Sequence, residues 1–343
     1  MNATVKKPKT QYGIWILLLI MLLSAGCSGA REAPVDYVAY SGSKLFRVGD
    51  RAYEAVAYNV NTAMKYAELI GEAAEALQGE TRVYSLIIPT AYGIMMPEAA
   101  KEIVPNYVYT QAGISAVYTA MPGSVTRVAV WDKLMDHRDD FIYFRTDHHW
   151  TARGAYHGYE AFCEAKGISP IPLGEHRHES FPGFLGSFYT ESGGDEKLLP
   201  EEIVEAFYPL SDNATLTVTD ENGKTEIRPI VADVNDLPAS AKYMTFAGGN
   251  NPFSVLENPA VSDGSVLILV KESFGNPLPA FLCDHYSTIY IIDYRYWDGN
   301  IIDFAQEVHA DDLLFANSVV AVNTGSNVGF LAMMIKKTGQ DII

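Results

Sequence analysis

Two segments hold side chains suited to covalent chemistry. The first is Lys271-Glu272-Ser273-Phe274-Gly275-Asn276-Pro277, which follows the apolar run Val266 to Val270. Such a run, bounded by turn signals, reads as a buried strand. Asn276 and Pro277 suit the N-cap and first position of a following helix. Ser273 is therefore expected on a strand-to-helix turn. There a hydroxyl can attack a carbonyl while helix amides stabilise the oxyanion. Serines are common in such turns, so the position alone is equally that of an ordinary turn residue.

The second segment is Phe144-Arg145-Thr146-Asp147-His148-His149-Trp150-Thr151. Asp147 and His149 are two positions apart, and extended backbone would point both to one face. A carboxylate beside an imidazole is the orienting pair that a serine nucleophile needs. The imidazole takes the hydroxyl proton, and the carboxylate fixes its tautomer. The pair opens a helix, whose positive end disfavours imidazolium; Asp147 would offset that. His148 should face away and hydrogen-bond to backbone.

Metal chemistry is the rival. Five of the eight histidines, 148, 149, 157, 176 and 178, fall in one stretch, and Asp147 with His149 could be ligands. No HExxH is present, and His157 stands eight residues after His149 rather than four. His176 and His178 read as solvated loop residues. Asp284 and His285 form one further acid–imidazole pair, at a helix end.

These residues need a frame. Val60, Ala63, Ala67, Ile70, Ala74 and Leu77 lie on one helical face within 53–77. Arg82–Ile88 reads as a strand stopped by Pro89, with 127–131 and 141–144 as two more. Ala152, Ala155, Tyr156, Tyr159, Phe162 and Cys163 define an amphipathic helix, capped by Thr151 and ended by Gly167. Residues 174–240 are richer in glycine, acid and turn signals. Around Asn222-Gly223, 215–219 and 225–229 read as a hairpin, so this stretch is expected to be a β-rich insertion. Strands at 265–270, 287–293 and 318–323 then alternate with helices at 277–283, 310–315 and about 327–337. Alternation of this kind means a mostly parallel sheet covered on both faces, with sites at the carboxyl ends of its strands.

Composition narrows the class. The 343 residues carry 25 basic and 42 acidic side chains, net −17, and such a chain should repel nucleic acid. A mean hydropathy of +0.01 excludes a polytopic membrane protein. Lys6, Lys7 and Lys9 precede the apolar run Ile14 to Leu23, then Ser24-Ala25-Gly26-Cys27. The run spans about half of what a bilayer-spanning helix needs. It reads as a secretory signal, and the small residues before Cys27 resemble a bacterial lipobox, although Ser24 stands where leucine is usual. Residues 1–26 are then a lipoprotein signal peptide, 27–36 a tether and 37–343 the working domain, outside the cytoplasm and anchored to the membrane through lipidated Cys27. Removing the leader leaves 22 basic against 42 acidic residues, net −20. Cys163 and Cys283 read as buried thiols.

Thr146–Thr151, followed by Gly154, Ala155 and Tyr156, resembles the signature of the DHHW family. These bacterial proteins are similar to the alginate O-acetyltransferases of the periplasm and share an SGNH-hydrolase-like fold. Asp50-Arg51-Ala52-Tyr53-Glu54, Ile88-Pro89-Thr90, Gly248-Gly249-Asn250, the segment around Ser273, and Ile292-Asp293-Tyr294-Arg295-Tyr296 support the resemblance. The letters DHH also occur in a metal-dependent phosphoesterase family, but the upstream Asp motif it needs is absent. The resemblance implies a three-layer α/β/α sandwich with circularly permuted motif order, because the Asp-His pair precedes the serine. By motif it places Asp147, His149 and Ser273 in the catalytic roles. No GDS box surrounds Ser273, so its own amide is one expected oxyanion donor, with Asn323 or Asn250 as candidates for a second. Tyr296 and Arg295 are candidate substrate contacts, with Tyr294 and Trp297 beside them. Phe181, Phe184, Phe188 and Tyr189 suit either sugar stacking or packing of the insertion.

The expected function is a serine acyltransferase or esterase acting on O-acetyl groups of a cell-surface or secreted polysaccharide. It needs no cofactor and, for transfer, has a membrane-bound O-acyltransferase as partner. A non-catalytic glycan-binding or assembly module and a metal hydrolase are the competing expectations.

Overall fold

The structure is a computed structural model and describes residues 35–40, 44–104 and 110–336. The leader, Cys27 and Lys337 lie outside these. In chain order the first elements are β1 (Tyr37–Ala39), β2 (Leu45–Val48), β3 (Arg51–Glu54), α1 (Val60–Ala76), β4 (Arg82–Ile88), α2 (Ala91–Ile94) and α3 (Thr110–Ala120). Next come β5 (Val125–Val128), α4 (Trp131–Asp136), α5 (Ala152–Lys166), β6 (His178–Phe184), α6 (Ser187–Glu191) and β7 (Glu202–Phe207). Then follow β8 (Thr215–Thr219), β9 (Thr225–Arg228), β10 (Phe253–Glu257), β11 (Val266–Lys271), α7 (Leu278–Leu282) and β12 (Thr288–Asp293). The last are α8 (Ile301–Glu307), β13 (Asp312–Ser318), α9 (Val319–Val322) and α10 (Gly325–Lys336). Among the described residues no helix is long and apolar enough to cross a membrane.

One eight-stranded sheet runs β5-β4-β13-β11-β12-β10-β8-β9. Its first five strands are parallel, and β10, β8 and β9 add antiparallel strands at one edge. The parallel strands β4, β11 and β13 are almost wholly buried, which is why each carries an apolar stretch: Leu86 to Ile88, Val266 to Val270 and Leu313 to Ala316. Tyr84 packs edge-on against Phe162 of α5, while Ser85 meets Tyr66 of α1. Successive strand residues point to opposite faces, so α5 and α1 cover the two sides. β1–β3 form a small antiparallel sheet, and β6 pairs with β7.

After β11 the chain goes to β12 on one side and then to β13 on the other. A crevice opens at such a switch point, outside the carboxyl ends of the strands. Ser318 pairs with Ile88, and Ala316 with Lys271. Thr90, Ser318 and Ser273 therefore follow one carboxyl edge.

Local signals held where they were complete. Thr151 Oγ1 accepts the Gly154 amide at 3.3 Å, and Gly167 ends α5 at φ 78°. Cys163 and Cys283 are buried free thiols. Three expectations are corrected. The strand near 127–131 is β5, which ends at Val128, and α4 begins at Trp131. Residues 141–144 make only a bridge between Tyr143 and Trp150. The expected helix at 310–315 and strand at 318–323 are inverted: β13 comes first, then α9. Ser318 Oγ caps α9 by accepting the Ala321 amide, so the β-branched Val319, Val320 and Val322 are turned into a helix despite their strand preference.

Candidate active site

The Asp147–His149 segment is not extended. Asp147 Oδ1 accepts the His149 amide at 3.0 Å and faces His149 Nδ1 at 2.6 Å. A local carboxylate-to-amide turn thus brings the pair together, rather than strand alternation. His149 Nε2 lies 2.8 Å from Ser273 Oγ. Asp147 Oδ2 accepts the Ser187 amide at 2.9 Å. Burial pushes the Asp147 carboxyl toward neutrality, but the nearby imidazoles of His148 and His149 and these hydrogen bonds outweigh it. Its pKa lies well below the usual carboxylate range, so the group is ionised throughout the working pH range.

Distant segments hold this turn. Arg51 of β3 donates to the carbonyls of Tyr143 and Phe144 at 3.0 and 2.7 Å. Glu202 of β7 accepts the amides of Arg145 and Thr146 at 2.7 and 2.9 Å, and the Thr146 hydroxyl at 2.5 Å. Tyr243 lies flat on the His149 ring, centroids 3.9 Å apart, and donates to the Ser273 carbonyl at 3.2 Å. Trp150 Nε1 donates to the Phe274 carbonyl at 2.7 Å, joining the histidine segment to the serine turn.

Glu272 shapes the serine turn. Its carboxylate accepts the Phe274 amide at 2.9 Å and the Ser318 amide at 2.7 Å. Ser273 then opens a single 3-10 turn directly after β11. Asn276 does not cap α7. Its side chain accepts Lys271 Nζ at 2.7 Å and donates to Asn250 at 3.1 Å. Lys271 is buried beside Asp293, and burial lowers its pKa.

A cleft of about 450 Å³ opens over Ser273, lined among others by Thr90, His148, Phe188, Glu272 and Arg295. Arg295 is held by two hydrogen bonds to Asp293, at 2.8 and 2.6 Å, and so presents its guanidinium at a set angle. His148 is half-buried and lines the cleft. Its Nδ1 meets the Ser187 hydroxyl at 2.9 Å, not backbone as expected. Thr90 Oγ1 is buried and has no hydrogen-bond partner among the described residues.

The remaining candidates lie elsewhere. Asn323 accepts the Asn59 amide at 2.9 Å and donates to the Val319 carbonyl at 2.8 Å, so its amide is committed to helix ends. It is not among the residues that line the cleft. Asn250 is likewise off the cleft and accepts from Asn276. Tyr296 is exposed and lines a neighbouring pocket with Trp297 and Arg295, while Tyr294 is buried. Phe181 and Phe184 are fully buried and pack the core; of that cluster Phe188 reaches the cleft. Asp284 accepts the Leu210 and Ser211 amides, and His285 meets Tyr159, so that pair is structural.

Sequence reasoning missed Gly186, Ser187, Glu202, Glu272, Tyr243 and Thr90 as parts of the site. Gly186 and Ser187 carry no local mark beyond the glycine-rich and turn-rich character of 174–240, and Glu272 stands out only as a neighbour of Ser273.

The Asp–His–Ser hydrogen-bonded line thus lies at the carboxyl edge of the large, mostly parallel sheet of an α/β protein. The chain belongs to the DHHW protein family, whose model matches residues 35–292. Among solved structures it is similar to a DHHW family protein from Eubacterium siraeum, with 26% identity and a TM-score of 0.76, covering 88% of this chain and 98% of that one. It is also similar to Bacillus cereus PatB1 with a sulfonyl adduct, at 16% identity and a TM-score of 0.69, covering 84% and 97%. The second likeness concerns the fold alone. No curated protein matches the chain significantly.

Proposed function

We propose that this protein is a lipid-anchored extracytoplasmic serine acyltransferase or esterase that handles O-acetyl groups of a cell-surface or secreted polysaccharide. The unbroken line from Asp147 through His149 to Ser273, at the floor of an open cleft, is the observation that supports it.

Asp147 accepts Nδ1–H of His149, which leaves the Nε2 lone pair for Ser273. As Ser273 Oγ bonds to the acyl carbon, its proton passes to Nε2 and the carbonyl electrons move to oxygen. Collapse of the adduct breaks the bond to the departing oxygen, which takes the proton back from Nε2, and acyl-Ser273 remains. A polysaccharide hydroxyl, or water, then attacks the acyl carbon while giving its proton to Nε2. Release of Ser273 Oγ with that proton closes the cycle. The Ser273 amide is the candidate oxyanion donor. No cofactor is required. Acetyl-CoA is a cytoplasmic donor, so transfer calls for a membrane-bound O-acyltransferase that delivers acetyl groups across the membrane. In this reading the fold is an SGNH-hydrolase-like sandwich, circularly permuted because Asp147 and His149 precede Ser273, with 174–240 as a β-rich insertion. Residues 1–26 are the signal, 27–36 the tether and Cys27 the lipid site.

The test is release of p-nitrophenol from its acetate by wild type and Ser273→Ala, with a sulfonyl fluoride as the covalent probe. Activity confined to wild type, and mass-spectrometric mapping of the label to Ser273, support the reading. Equal rates, or a label on another residue, remove Ser273 from the mechanism.

A further inference from the structure

A second cluster of ligating side chains lies outside the cleft. One ligand atom from each of His137, Asp140 and His157 lies within 4.8 Å of the other two. His137 follows the last residue of α4, Asp140 comes three residues later, and His157 is on the second turn of α5. The two imidazoles stack with centroids 3.9 Å apart, so the exposed His137 ring has to turn before both rings can point a nitrogen at one ion; its Nδ1 is 3.0 Å from Asp140 Oδ2. His157 is buried, and its Nδ1 lies 2.7 Å from Glu160 Oε2. An Nδ1–H given to Glu160 leaves Nε2 with its lone pair. A carboxylate behind the imidazole in this way fixes tautomer and ring orientation in metal-bound histidines. Residues 157, 160 and 164 share one face of α5 by their spacing of three and four. Glu164 reaches α4 through Lys133 at 3.0 Å. The face of α5 turned to α4 thus carries a ligand, its support and an ion pair.

We propose that His137, Asp140 and His157 bind one divalent transition-metal ion of the zinc class, and that this ion staples the end of α4 to α5. Two imidazole nitrogens and one carboxylate oxygen suit Zn²⁺ and its neighbours, whereas Mg²⁺ and Ca²⁺ take oxygen ligands. Arg153, one turn before His157, does not oppose the ion with a free charge, because Glu205 holds it at 2.6 and 2.9 Å. The role is structural. Between Asp140 and His157 lie residues 141–156, which include Asp147 and His149, so the ion closes the neck of the segment that positions them. The proposal does not depend on the chemistry of Ser273, which uses none of the three ligands.

The experiment uses untagged protein, stripped with a chelator and titrated with zinc chloride by calorimetry, with thermal unfolding in parallel. One zinc ion binds, and the Tm rises by about 5 °C at a free zinc concentration about a hundred times Kd. Cobalt substituted for zinc gives a visible absorption band. His137→Ala, an exposed position, abolishes the band and the Tm rise while the stripped protein keeps the wild-type Tm. Asp140→Asn weakens binding about tenfold or more. His149→Ala binds zinc as wild type does. Absence of saturable zinc binding by wild type overturns the proposal, as does wild-type binding by His137→Ala. Loss of binding in His149→Ala also overturns it, because the ion would then sit at the cleft.

Discussion

Gly186→Ala is a substitution of one methyl group far in sequence from Ser273, and it should disable the proposed chemistry. Gly186 has φ −79° and ψ −166°, which any residue can adopt, so only space requires glycine here. A Cβ at this position would sit 2.3 Å from Asp147 Cβ, 2.4 Å from its Oδ2 and 2.7 Å from its Cγ. Ordinary contact begins near 3.4 Å, so the carboxylate and the loop must separate by roughly an ångström. Asp147 Cβ is close to the backbone and cannot rotate away. The shift therefore stretches both the 2.6 Å contact to His149 and the 2.9 Å bond from the Ser187 amide, which belongs to the next residue along. A misplacement of about 1 Å costs roughly 10²-fold in rate, and loss of the orienting carboxylate about 10⁴-fold. We expect kcat for p-nitrophenyl acetate to fall about 10²- to 10⁴-fold, with KM changed by less than about threefold. Overpacking costs about 1–3 kcal/mol, so the Tm should drop by several degrees and the protein stays folded. Added to Ser273→Ala, the substitution should cost nothing further, because the groups act as a unit. A kcat within about threefold of wild type, or a full additive loss on the Ser273→Ala background, refutes the reasoning.

Glu272→Ala strands the buried amides of Phe274 and Ser318; unfolding should show a loss of about 3 kcal/mol or more, with kcat reduced as the serine turn loosens. Asp147 carries its folded pKa below the unfolded value, so its contribution to stability is complete above about pH 4 and is lost as pH falls below it. Urea unfolding of wild type and Asp147→Asn should therefore differ at pH 6, with the gap narrowing toward pH 3; a gap that widens contradicts the assignment. Thr90→Val removes a buried hydroxyl without a partner among the described residues, so the Tm should hold or rise while any activity on p-nitrophenyl acetate falls; a lower Tm would reveal a structural partner.

Much of the frame was legible because its signals are local. Thr151 and Gly167 bound α5, and the apolar runs of β4, β11 and β12 mark buried parallel strands. The inversion at 310–323 shows where locality fails. Val319-Val320-Ala321-Val322 has strand composition, but the chain must turn back after β13, and the Ser318 cap makes that turn a helix. The aromatic cluster at 181–189 left sugar stacking and packing both open from sequence. For Phe181 and Phe184 the fold decides: both are core, because β6 and β7 fold that face inward.

By itself the sequence determined which atoms are available for chemistry: a carboxylate two positions from an imidazole, and a serine where a buried strand ends. It also determined the family to which they belong. Tertiary structure alone decided that His149 Nε2 stands 2.8 Å from Ser273 Oγ, and that Asn323 is spent on Asn59 and Val319. It alone recruited Gly186, Ser187, Glu202 and Tyr243. The physical reason is reach. Helix periods and caps are written within a few residues, whereas all of these contacts except Asn323 with Val319 join segments separated by tens or hundreds of positions, and only the packed sheet brings them together.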